Sequence, residues 1–212
     1  MRSDSVFLRW DRSLPVSSFS SWVGRSSSSI SSRNSSNNLG ENGELVRRAK
    51  DGDERAIARL IAIYKGLVYT IALRMLGDPD WAEDITQETF IRAFLRIKTL
   101  KHPERFRSWI TMIVRNLIYD HLRKRKTELP PPVRTGPGVE SVRKKVIIQQ
   151  ALLRLSKQDR LLLTLFYYQG FTMKEIGEVT GIPSANLRVY LHRARARLRE
   201  ELRGYEDELL SI

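Results

Sequence analysis

Two sets of side chains in this 212-residue sequence have the types and spacing to do chemistry. The first is acidic. Asp78, Asp80, Glu83, Asp84 and Glu88 crowd one short stretch, and carboxylates at that density could clasp a metal pair for phosphodiester hydrolysis or meet the basic groups of a partner. Most of them fall in the first turn of one helix, where acids also suit the dipole. A lone helix does not surround a metal pair, so a nuclease is the weakest of these readings. The second set is basic. Arg188, His192, Arg195 and Arg199 recur at helical steps, one position after Leu187, Leu191, Ala194 and Leu198. One stripe packs and its neighbour is cationic, the arrangement of a helix that can lie in the DNA major groove. For a charge run alone, a solvated surface face is the commoner explanation. His192 has no Cys, His or acidic partner at ligand spacing, which argues against a metal.

The whole composition narrows the choice. Cysteine is absent, which removes disulfides, thiolate nucleophiles and cysteine-containing zinc sites. Lys and Arg number 37 against 24 Asp and Glu, a formal charge of +13, which favours a polyanionic partner, nucleic acid ahead of an anionic membrane surface. No apolar run approaches the roughly 20 residues of a spanning helix, so a soluble protein with no direct membrane insertion is expected. No catalytic residue, metal or cofactor is expected.

The elements that would position these groups are helical, and the expected fold class is all-α, with two small domains. Residues 1–40 contain fifteen serines and five arginines against Asp4 and Asp11, and read as a disordered tail, a transit-like leader or an upstream start assigned too early. Residues 41–126 form the first domain. Asp53 can cap a helix with Ala56, Leu60, Ile63, Leu67 and Ile71 on its apolar stripe, closed by Gly77. Asp78 and Pro79 open another as N-cap and first residue. A further helix runs over Phe106–Arg125 with Trp109, Ile113 and Leu117 buried; stacking on a DNA base is the less favoured role for Trp109. Residues 127–140, with prolines at 130, 131, 132 and 137, form an extended spacer. Residues 141–204 form the second domain and 205–212 an acidic tail. Ser156 with Asp159 and Thr172 with Glu175 have capping-box spacing, so helices begin near 157 and 173. Gly170 ends the first, and Gly181, Ile182 and Pro183 break the second before a longer helix, which is the helix-turn-helix layout.

On the helix opened by Asp78, one side carries Ala82, Thr86, Phe90, Ala93, Phe94 and Ile97. Asp84, Glu88, Ile91 and Leu95 lie towards the other. Acids mixed with aliphatics there are consistent with a docking surface, with a helix buried on both sides, or with acids placed for the dipole.

Taken together the two domains resemble the bacterial extracytoplasmic-function (ECF) sigma factors of the sigma-70 family. The resemblance rests on Asp80-Trp81-Ala82-Glu83-Asp84-Ile85-Thr86-Gln87-Glu88-Thr89-Phe90, on Phe106-Arg107-Ser108-Trp109-Ile110 continuing through Ile113, Asn116, Asp120 and Arg123, and on the helix-turn-helix, in that order over about residues 44–203. It implies a region 2 domain, a Pro-rich linker and a region 4 domain in a promoter-recognition and promoter-melting factor without catalysis of its own. Asp84, Gln87, Glu88, Ile91 and Leu95 would contact core RNA polymerase. Lys101, His102, Arg105, Phe106, Arg107 and Asn116 would handle the melted minus-ten element, by cationic contact and base stacking, with Arg115, Arg123, Lys124, Arg125 and Lys126 on nearby phosphates. Ser184, Arg188, Val189, His192, Arg193 and Arg195 would read the minus-thirty-five element. Val189, Tyr190 and Met112 depart from the family's commoner residues, which puts promoter sequence in question. The resemblance further implies a membrane-linked anti-sigma factor and a cytoplasmic, nucleoid-associated location. The competing reading is a stand-alone helix-turn-helix regulator with a helical sensor or dimerisation domain.

Overall fold

The structure, a computed structural model, describes residues 35–124 and 140–205, and among these there are eight α-helices and no strand. They are α1 (Ser35–Lys50), α2 (Glu54–Leu76), α3 (Pro79–Arg96), α4 (Phe106–Lys124), α5 (Glu140–Arg154), α6 (Lys157–Leu163), α7 (Met173–Thr180) and α8 (Ser184–Glu201). The all-α expectation holds. Helix α1 starts inside the Ser-rich stretch read as a tail, while residues 1–34, the expected Pro-rich spacer up to residue 139 with Arg125 and Lys126, and residues 206–212 lie outside the described residues.

Local chemistry sets the helix ends. The Asp53 carboxylate accepts from the N–H groups of Arg55 and Ala56 at 2.9 and 3.2 Å, satisfying donors that a first turn cannot pair internally. Asp78 does the same for Asp80 and Trp81 ahead of Pro79. Between these caps, Gly77 ends α2 at φ 74°, a left-handed conformation that a side chain would strain.

Helices α1 to α4 form a bundle around Leu60, Val68, Ile71, Met75, Phe90, Ile110, Val114 and Ile118, all buried. Two expected stripes are displaced. In α2 the buried line runs through Leu60, Tyr64, Val68 and Ile71, while Ile63 is 39% exposed. In α4 it is centred on Ile110, Val114, Leu117 and Ile118, with Trp109 and Ile113 half-buried against the core. Neighbours cause the shift: the Tyr64 ring packs on Phe106 at 5.0 Å, and Phe106 on Trp109 at 5.7 Å. Alone, α2 is long and apolar enough to span a bilayer; its apolar side is occupied by α1, α3 and α4.

Helices α5 to α8 make the second unit. Ser156 and Thr172 cap α6 and α7, and Thr172 with Glu175 completes a reciprocal capping box. Asp159 does not reach back in that way: its carboxylate accepts from the Ser156 hydroxyl and from Arg197 of α8 at 2.6 Å. Helix α6 passes into a π-helical turn over Thr164–Tyr168. Where α7 faces the turn into α8, a Cβ on Gly177 would stand 3.1 Å from the Ile182 carbonyl oxygen, a tight approach that glycine accommodates without any shift of the turn.

One apolar core joins the two units, and polar contacts between them converge on helix ends. Gln149 donates to the carbonyls of Leu73 and Arg74 at 3.3 Å and accepts from the Arg74 guanidinium at 2.7 Å. Arg160 reaches the Met75 carbonyl at 2.5 Å. A Cβ on Gly77 would meet Leu153 at 2.5 Å. The end of α2, where carbonyls lack internal partners, is thus capped by the second unit.

Candidate nucleic-acid and partner interfaces

Three surfaces carry the residues singled out from the sequence. The first is the outer side of α3. Its inner side buries Ala82, Ile85, Thr86, Thr89, Phe90 and Ala93, and the Thr86 and Thr89 hydroxyls donate to the carbonyls of Ala82 and Ile85, so those polar atoms are satisfied. On the outer side Asp84, Ile91 and Leu95 are exposed, with Gln87 and Glu88 half-buried beside them. Leu95 is 80% exposed and follows one helical turn after Ile91, at 38%. Glu88 pairs with Arg92 at 2.6 Å. A helix with a filled inner side and aliphatics among acids on its outer side presents a surface with nothing to cover it among the described residues. Buried on both sides it is not.

The second surface is the segment from Ile97 to the first turns of α4. Two short 3₁₀ turns, Ile97–Thr99 and Pro103–Arg105, are pinned by Ile97 and Leu100 in the core and by Lys50 of α1, which donates to the Leu100 carbonyl. Lys101, His102 and Arg105 are exposed. His102 lies 3.2 Å from Glu104, whose carboxyl is held below the usual range by a backbone N–H and then by His102. Phe106 corrects the expectation of a base-stacking aromatic: it is 1% exposed and held between Tyr64 and Trp109. Trp109 packs on the core, as its spacing with Ile113 and Leu117 suggests.

Arg107 is half-buried and turned to the second unit. It pairs with Glu175 at 3.1 Å, donates to the Gln169 carbonyl and lies over the Phe171 ring at 3.9 Å. Arg105 stands 3.8 Å from Glu178. Further along α4, Arg115 donates to the Val179 carbonyl and to the exposed Asn116. Arg123 pairs with Asp120 at 3.0 Å, and Lys124 is exposed. Three cations expected on DNA are therefore engaged by α7 and the turn before it.

The third surface is α8. Leu187, Leu191 and Ala194 are buried and Leu198 half-buried, whereas Ser184, Arg188, Val189, Tyr190, His192, Arg193, Arg195 and Arg199 are exposed. The packed stripe and its cationic neighbour fall where their spacing puts them. Arg188, His192, Arg193, Arg195 and Arg199 make no ion pair among the described residues, unlike Arg197, which is spent on Asp159. Among the described residues no group of three acidic or histidine side chains stands close enough together to hold a metal ion.

Sequence reasoning missed the groups that join the units. Arg160 sits before an apolar run with no visible task, and Gln149 and Arg74 belong to no motif; only the helix-closing glycine at 77 marked the place where these meet.

A helix-turn-helix whose last helix exposes a row of cations, joined to a helical bundle with an acidic and aliphatic outer face, defines a two-part all-helical protein with separate charged surfaces on its two units. Residues 60–128 match the Sigma-70 region 2 family and residues 145–198 the Sigma-70 region 4 family. The ECF RNA polymerase sigma factor SigW of Bacillus subtilis is 32% identical over 177 residues, covering 74% of this chain and 95% of SigW. SigM of the same organism is 33% identical over 162 residues, covering 72% of this chain and 99% of SigM. In three dimensions the chain is similar to CnrH, solved in complex with the cytosolic domain of CnrY, with a TM-score of 0.61 and 25% identity over 76% of this chain and 96% of CnrH. A sigma factor RpoE, solved with the anti-sigma factor NepR from Bartonella quintana, shares the fold at a TM-score of 0.57 and 21% identity, covering 69% of this chain and 96% of that one. The chain belongs to the ECF RNA polymerase sigma factors.

Proposed function

We propose that this sigma factor engages its partners through the three surfaces in separate roles. The bundle of residues 41–126 binds core RNA polymerase and the minus-ten element, residues 127–140 space the two units, and the helix-turn-helix unit of residues 141–204 binds the minus-thirty-five element. Asp84, Gln87, Glu88, Ile91 and Leu95 form the polymerase contact, with acids facing basic groups and aliphatics supplying burial. The observation that carries this role is Leu95, 80% exposed on a helix whose other side is full.

Lys101, His102, Arg105, Arg107, Asn116, Arg123 and Lys124 form the minus-ten surface. Phe106 supports it from the core rather than by stacking. Ser184, Arg188, Val189, His192, Arg193 and Arg195 form the minus-thirty-five surface, where guanidinium groups can pair with guanine edges and Val189 can touch a thymine methyl. Phosphodiester formation belongs to the polymerase, and the sigma factor contributes positioning and strand separation. An anti-sigma factor is the further partner, and the cytoplasm, with the nucleoid when polymerase is bound, is the working location. CnrH, bound to a cytosolic domain, supports a protein partner of this kind. Charge reversal on α3, measured as affinity for core polymerase, tests the assignment that the others depend on.

The stand-alone regulator would use α8 equally well. It gives the outer face of α3 no task, and the region 2 match over residues 60–128 speaks against it.

A further inference from the structure

Residues 1–34 carry a sequence signal that none of the three surfaces uses. Among their serines stand two of the chain's four tryptophans and two of its seven phenylalanines, with five arginines against Asp4 and Asp11. Large aromatics are scarce in segments that have no surface to bury them on, whereas Trp and Arg are the types that anchor protein contacts. The densest group is Phe7-Leu8-Arg9-Trp10-Asp11-Arg12, where apolar and cationic side chains are interleaved. The outer face of α3 has the complementary composition: acidic Asp84 and Glu88 beside Ile91 and Leu95, with Leu95 80% exposed.

Resting on the polymerase assignment above, we propose that residues 7–12 dock on the outer face of α3 and compete with core RNA polymerase for it. Phe7, Leu8 and Trp10 cover Ile91 and Leu95, while Arg9 and Arg12 meet Asp84 and Glu88. The dimensions agree. Six extended residues span about 17–20 Å, and Leu95 lies about 16 Å from Asp84 along the helix axis. The 22 residues between Arg12 and Ser35 reach at most about 75 Å. That is about twice the length of α2, on which α1 packs, so the tether allows the contact within one chain.

Tethering makes a weak contact sufficient. A segment of the same chain is present at α3 at an effective concentration of about 1 mM. With an intrinsic dissociation constant of about 0.1 mM it covers the face in roughly nine molecules of ten, and the apparent affinity for polymerase falls by the open fraction. Core enzyme, offering a larger interface, still displaces the segment.

The absence of cysteine lets one introduced thiol carry a probe. Lys98, exposed just beyond Leu95, is replaced by Cys in the full chain and labelled with bimane, which tryptophan quenches only near contact. Trp10→Phe keeps the apolar contact and removes the quencher, so bimane emission should rise while affinity for core enzyme stays unchanged. Arg9→Glu with Arg12→Glu should also raise emission, and should tighten core binding by about ten-fold. Adding core RNA polymerase to the labelled parent should produce the same rise. Emission indifferent to Trp10→Phe overturns the proposal, as does a quench that fades on dilution, which would belong to a second copy of the chain. The polymerase assignment fails separately. A Trp10-dependent quench that saturating core enzyme leaves intact refutes α3 as the polymerase face, and the competition with it, while the docking of residues 7–12 stands.

Discussion

Arg160 in α6 donates to the carbonyl oxygen of Met75 at the end of α2, 2.5 Å away and 85 positions earlier in the chain. Its other guanidinium contacts are the carbonyls of Leu152, Leu153 and Leu155 at the end of α5. One cation thus sits at the ends of two helices, where carbonyl dipoles carry partial negative charge. Burial pulls its pKa well below the usual guanidinium value, down to about 10, opposed by Tyr119. The group is charged at neutral pH, and the hydrogen bonds offset the cost of burying it. Replacing Arg160 with Met keeps the bulk and strands those carbonyls. The expected loss is about 1.5–3 kcal/mol, the size of hydrogen bonds to a charged group, read by urea denaturation. A loss within about 0.5 kcal/mol, as at an ordinary surface site, would show that water serves those carbonyls equally well.

Acid sensitivity should have a local source at the start of α2. Arg48 and the Ala56 N–H hold the Asp53 carboxyl below its ordinary value of 3.8. A carboxyl with a lowered folded pKa stabilises the fold fully above 3.8 and loses that contribution as pH falls through the folded value. Asp53→Asn keeps an N-cap acceptor and removes the titration. Unfolding midpoints measured from pH 6 downward should therefore fall less steeply for the variant, and parallel curves would assign the acid dependence elsewhere.

Much of the fold and of the third surface was legible because the signals are local. Asp53, Asp78, Ser156, Thr172, Gly77 and Gly181 act within a turn of their own position, and the α8 stripes follow from helical period alone. What sequence could not supply was which long-range neighbour claims a side chain. Phe106 stands in a basic loop, as a stacking residue would, and is instead taken by Tyr64 from 42 positions earlier. Ile63 falls on the helical period of α2, and Tyr64 takes its place in the core for the same reason. Arg107 and Arg115 read as free cations because their acceptors, Glu175 and the Val179 carbonyl, are 68 and 64 positions away.

On α3, Asp84→Lys with Glu88→Lys should weaken core polymerase binding by about ten-fold or more, since like charges would then face the basic partner surface. Only the surface pair of Glu88 with Arg92 is lost from the fold, and such pairs are worth at most about 1 kcal/mol. Affinity is measured by competition for core enzyme, and circular dichroism checks folding. Unchanged affinity in a folded variant would refute docking through this face.

Base readers and phosphate contacts should separate in mutant behaviour. Arg188→Ala should reduce discrimination at one promoter position by about 1–3 kcal/mol, whereas Lys124→Ala should weaken binding to all sequences alike and lower the salt dependence. Competition among single-base promoter variants distinguishes the two. A uniform loss from the first change would demote Arg188 to a phosphate contact.

The most direct test of the account is transcription in vitro with purified core RNA polymerase, this chain and a library of promoter sequences. Initiation should depend on the chain, with selected templates sharing two elements at fixed spacing. Tight, specific duplex binding by the chain alone, with no initiation when core enzyme is supplied, would contradict it.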